Sequence, residues 1–183
     1  MWRELFLTIA QLIVASPMAW KDLEREERSH ADFLNRFLYP LFGLIAFAAF
    51  VGGLWFTRNG DLENALKNSI VSIVSVFGAF YIVSWMLNEI AERFGLEKNL
   101  SRFQLFTGFS SVVMYALYCL ISFLPEFFIL WLLALYTIHL VHMGALYYLK
   151  VPAEKRGFFI IVASALVVLA PVFIQTLFTL IIQ

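Results

Sequence analysis

The stretch FFIIVASALVVLAPVFIQTLFTLII, residues 158–182, carries no Asp, Glu, Lys, Arg or His over its whole length. A helix needs about 20 consecutive apolar residues to cross a hydrocarbon core about 30 Å thick, so this stretch reads as a membrane span. Four further stretches qualify on the same ground, at 37–56, 68–90, 105–124 and 127–149. With 62% hydrophobic and 14% charged residues, the chain is too apolar to cover a soluble domain of its size with polar surface. The fold class is therefore an all-α membrane protein, a bundle of five transmembrane helices preceded by an N-terminal amphipathic helix. The organisation expected is a cytoplasmic amphipathic and charged helical segment over 1–36 and the bundle over 37–183. No other loop exceeds roughly fifteen residues, which leaves no room for a soluble catalytic or nucleic-acid-binding domain. The partner expected first is the lipid bilayer, not a nucleic acid.

Charge placement gives the orientation. Arg3, Lys21, Arg25, Arg28 and Arg36 precede the first span, Arg93, Lys98 and Arg102 lie in the second loop, and Lys150, Lys155 and Arg156 in the fourth. Only Arg58 and Lys67 lie on the opposite side. Lys and Arg favour the cytoplasmic face, so the N-terminus is expected inside and the C-terminus outside, in a cell inner membrane. The single cysteine, Cys119, falls in the third span and forms no intrachain disulfide.

Ahead of the spans, Trp2, Leu5, Phe6, Ile9, Leu12 and Ile13 recur at helical spacing, with Arg3, Glu4, Thr8 and Gln11 on the other face. Such a helix is too short to span but suits the membrane interface, apolar side down. The same stripe equally suits packing against the cytoplasmic ends of the spans. Leu5 to Ala15 also has the length of a signal-peptide core, but Glu4 and the periodic spacing oppose that, and the segment is expected to be retained. Ser16-Pro17 breaks the chain, Ser as N-cap and Pro at the first helical position. The run from Lys21 to Arg28 offers Glu24–Arg28 and Asp22–Arg25 pairs on a solvated face, and a soluble cytoplasmic partner would dock through 17–36. Further on, Asn59-Gly60 marks a turn with Asp61 capping the next helix, Pro125 and Glu126 begin the fourth span, and Gly95 and Gly157 are expected as the flexible points of two loops. Ala48 with Gly52 and Ala49 with Gly53 form small-xxx-small patterns for close helix approach, inside the bundle or between copies in a homo- or hetero-oligomer.

Polar groups in hydrocarbon are costly and so are the first functional candidates. They are Asn88 and Glu89 in the second span, His139 and His142 in the fourth, and Gln175 in the fifth. His139 and His142, at i and i+3, share a helix face. Three readings stand: hydrogen bonds to a backbone carbonyl or to Ser164, a small transporter's polar path through Glu89, His139 and His142, or an intramembrane metal or redox site. A metal needs three or four converging ligands, and haem needs axial His on facing helices, whereas both of these lie on one helix. No catalytic motif and no cofactor is expected.

Ser16-Pro17-Met18-Ala19-Trp20, behind an amphipathic start and ahead of five spans, resembles the Yip family of Ypt/Rab-interacting multi-pass membrane proteins, in its prokaryotic branch. Trp131, Tyr136, Gly144 and Lys150-Val151-Pro152 in and after the fourth span are similar in texture. The resemblance implies five spans with the N-terminus in the cytosol, and a non-enzymatic role in scaffolding, membrane organisation or trafficking. Eukaryotic relatives bind prenylated Rab-type GTPases, but here Asp22-Leu23 and Asp61-Leu62 are followed by Glu24 and Glu63 instead of the family's tyrosine. The Gly-Tyr-x-x-Pro pattern and a long N-terminal domain are also missing, so GTPase binding does not carry over.

Overall fold

The computed structural model describes residues 2–26, 29–55, 61–124 and 127–182, and among these every regular element is helical. Helix α1 is Trp2–Val14 and α2 is Ser16–Arg25. Helix α3, His30–Phe33, passes through a π turn at Leu34–Leu38 into α4, Tyr39–Trp55. Helix α5, Leu62–Ile90, ends in a 3₁₀ turn, and α6, Leu100–Ser110, leads into α7, Val112–Phe123. A 3₁₀ segment, Phe128–Leu135, precedes α8, Tyr136–Tyr147, and α9 is Ala153–Ile182. Four of the helices formed by these elements are long and apolar enough to cross a membrane, and the bent pair α6–α7 makes a fifth. The protein is a multi-pass, all-α membrane protein.

The helices outrun their apolar stretches. The first long helix begins at His30 and the second at Leu62. Asp61 caps α5 as expected, its carboxylate accepting from the Asn64 N–H at 2.7 Å. Lys67 pairs with Glu63 at 2.9 Å one turn on. These local bonds carry the helix through its polar first turns. The Asn59-Gly60 turn and the Pro125-Glu126 start lie outside the described residues, as does Arg28.

The third span forms the axis of the bundle, with every residue from 103 to 115 buried. It is not straight. The two halves meet at 45° at Ser110-Ser111, where the Ser111 hydroxyl donates to the Thr107 carbonyl at 2.7 Å. Serine back-bonding of this kind bends helices. Around α6, Phe109 packs at a tilt against Phe33 at 5.0 Å and Phe37 at 4.8 Å, and Phe106 meets Phe159 of α9 at 5.8 Å. A Cβ on Gly108 would stand 2.4 Å from Phe33 Cζ, so the glycine makes room for that ring.

The small-residue face is used inside the bundle. A Cβ on Gly52 would fall 2.0 Å from the Ser122 carbonyl oxygen of α7, and one on Gly53 would fall 2.7 Å from Ala65 Cα of α5. Ala48 and Ala49 are buried beside them. Two expectations are corrected. Gly157 is no loop hinge, because α9 already starts at Ala153, with the Arg156 guanidinium donating to the Val151 carbonyl at 2.9 Å. Ser16 is not an N-cap, because α2 begins at Ser16 itself, its hydroxyl is buried without a partner, and Ala15 takes the cap position. Gly95 does turn the chain, closing the second span with a positive φ of 74°.

Candidate membrane and partner interface

Helix α2 lies along α8 and runs in the same direction. The Tyr136 hydroxyl donates to the Ile13 carbonyl at 2.6 Å, Lys21 sits over the Tyr147 ring at 4.7 Å, and Lys150 donates to Glu24 at 2.6 Å. At a rise of 1.5 Å per residue, Tyr136 and Tyr147 are about 16 Å apart along α8. The joint between α1 and α2 is therefore level with the start of α8, well inside the length of that span, and the charged end of α2 is level with its exit.

Trp20 holds this arrangement. Its indole is fully buried between Phe106 at 5.8 Å, Phe109 at 6.1 Å and Tyr148 at 5.7 Å. It lies against Gly144, where any side chain would collide. Lys150, just past α8, has a left-handed φ of 57°, which is uncommon outside glycine. That bend turns its ammonium toward Glu24. The Glu24 carboxyl accordingly sits below its usual 4.5, chiefly because it accepts a hydrogen bond from Lys150 and also feels that charge.

The expected apolar stripe divides. Leu5 and Leu12 are buried in the protein and so face no lipid, while Ile9 and Ile13 are partly buried against the core. Trp2 and Phe6 stand open at 49% and 55% exposure, joined by Leu7 and Val14. The apolar arc is thus wider than the bundle needs. Sequence reading missed that Leu7 and Val14 extend it, since both fall outside the i, i+3, i+4 stripe. On α2, Lys21, Asp22 and Arg25 form an exposed face, continued by Glu26 at its C-cap. Glu24 pairs with Lys150, a distant partner that helix spacing could not show.

The intramembrane polar candidates do not gather. Glu89 is at the surface, paired with Lys98 at 3.0 Å, and it raises the Lys98 ammonium above 10.5, first by that hydrogen bond and then by charge. His139 packs against the Tyr136 ring at 5.2 Å, and His142 is exposed on the outside of the bundle. Ser164 is buried and its hydroxyl has no hydrogen-bond partner, so no histidine bonds to it. Asn88 has a buried oxygen without a partner, and Gln175 lines a cavity at the far end of the bundle. Among the described residues, no three His, Cys, Asp or Glu side chains come together as a metal site. Glu89, His139 and His142 therefore form no common polar path.

A family model described as the Yip1 domain matches residues 11–174. The chain belongs to the Yip1 domain family. The match takes in α2, the Trp20 seat, the first four spans and most of α9, so in this Yip1 domain protein the docked segment is part of the family unit. Trp2, Leu5, Phe6 and Ile9 precede the matched residues. No curated protein and no solved structure matches the chain.

Proposed function

We propose that this Yip1 domain protein is a non-enzymatic membrane organiser. Its N-terminal segment is clamped to a transmembrane bundle and held as a wedge in one leaflet. The observation that supports this reading is the contrast within one short segment: Trp20 is wholly buried in the bundle, while Trp2, Phe6, Leu7 and Val14 stay exposed on the helix before it. Exposed apolar residues on a membrane protein are stable only against lipid or a partner. Clamping removes the freedom of a loose amphipathic helix, so the arc stays at one depth and displaces lipid on one side only. The basic residues support placing that side in the cytoplasm of an inner membrane, with the C-terminus outside. The exposed charges of α2 lie where a soluble partner would meet the surface.

Reconstitution into vesicles tests this. At rising protein-to-lipid ratio the wild type should shift vesicles to smaller diameter. A Phe6→Glu, Val14→Glu variant, changed only at exposed positions, should leave diameter unchanged while remaining folded. Equal diameters for both proteins would remove the organising role.

A further inference from the structure

The end of the bundle away from Trp20 holds a cavity of about 390 Å³, walled by α4, α5, α7, the segment before α8, and α9. Its volume is that of a small-molecule site. The chemistry of its walls is mixed. Asn64, Lys67 and Asn68 come from the first turns of α5, Gln175 faces them from α9, and Trp131 adds an aromatic wall. Tyr118 also lines it, 6% exposed, with a hydroxyl that has no hydrogen-bond partner. Tyr118 also lines a second, water-sized cavity together with Thr107, Ser111 and Tyr115.

Lys67 at this site is paired with Glu63, and both are partly exposed, at 41% and 75%. Lys67 thus brings a positive charge to the cavity wall, with amide donors and acceptors beside it, and the Glu63 carboxylate stands 2.9 Å from its ammonium. On the same helix as Lys67, and three residues further on, Ile70 of α5 is an exposed apolar residue. Polar headgroup chemistry and acyl-chain chemistry thus lie side by side. We propose that this cavity binds the headgroup of a zwitterionic glycerophospholipid, its phosphate on Lys67 and its ammonium toward Glu63, with the acyl chains outside along α5. This assignment is independent of the wedge at the other end.

Native mass spectrometry of the full chain, released from mild detergent with added phosphatidylethanolamine, phosphatidylglycerol or soluble phosphoethanolamine, tests it. The wild type should retain one phosphatidylethanolamine in preference to phosphatidylglycerol. Lys67→Gln should weaken retention about tenfold, the loss of one charge-assisted hydrogen bond, and Lys67→Arg should restore it. Gln175→Leu, on the opposite wall, gives an independent reading should Lys67→Gln not accumulate, and it too should weaken retention. Equal retention by wild type and variants would overturn the site. Tighter binding of phosphatidylglycerol would overturn the zwitterionic assignment, and soluble phosphoethanolamine bound as well as the lipid would overturn a lipid as the ligand.

Discussion

Gly144 of α8 and Trp20 of α2 lie so close that a methyl group on the glycine would stand 2.8 Å from indole Cζ2, and 2.7 Å from Phe106 Cε2. Neither ring has room to retreat, since Trp20 and Phe106 are both fully buried. Gly144→Val should therefore push α2 off the bundle. The expected cost is about 1–3 kcal/mol, the range for overpacking a filled core. It should appear as a lower unfolding temperature and a red-shifted Trp20 emission in a background retaining that tryptophan alone.

The contact between Glu24 and Lys150 makes the seating of α2 depend on pH. Lys150 holds the folded Glu24 carboxyl below 4.5, so its contribution is complete above that value and fades as pH falls through the lower folded one. Amide exchange in α2, taken relative to the intrinsic rate at each pH, should quicken below pH 4.5 in the wild type. In Glu24→Gln it should already be faster at neutral pH, with a smaller further change on acidification. Identical profiles would deny the contact a role.

Two glycines of α4 should respond in opposite ways. A Cβ on Gly52 would stand 2.0 Å from the Ser122 carbonyl oxygen, whereas one on Gly43 would meet nothing within 4 Å. Gly52→Leu should cost at least about 3 kcal/mol and fail to accumulate. Gly43→Leu should stay within about 0.5 kcal/mol of wild type. A stable, monomeric Gly52→Leu would show that the small face packs between copies instead of inside the bundle.

The spans were legible because hydrocarbon imposes a length that apolar runs reveal, and Asp61 as a cap followed from local chemistry alone. The bend at Ser110-Ser111 was harder to see, since Thr107, Ser110 and Ser111 look like scattered polar residues until a hydroxyl is found on a carbonyl one turn back. The Trp20 seat depends on Phe106, Phe109, Gly144 and Tyr148, far apart in the chain and ordinary one by one. The stripe of α1 was visible, but not that Leu5 and Leu12 face protein while Trp2 and Phe6 do not. Periodicity marks an apolar face without saying what covers it. Gln175 stood out as polar within a span, whereas Asn64, Asn68 and Tyr118 did not, because the cavity they share is made by five segments meeting.

The proposed orientation is open to direct labelling. In a Cys119→Ser background, single cysteines at Lys98 and Lys155 should be protected from an impermeant thiol reagent in intact cells, and one at Asp61 should react. The reverse pattern would invert the membrane placement of the wedge and of the far cavity together.

One N-terminal segment is buried in the bundle at Trp20 and exposed at Trp2, at 0% and 49%. Quenching of single-tryptophan variants by lipids brominated along their acyl chains measures this directly. Strong quenching is expected of a protein whose only tryptophan is Trp2, and little of one retaining only Trp20. Equal quenching of the two, or quenching of Trp2 by aqueous iodide instead of by lipid, would contradict it.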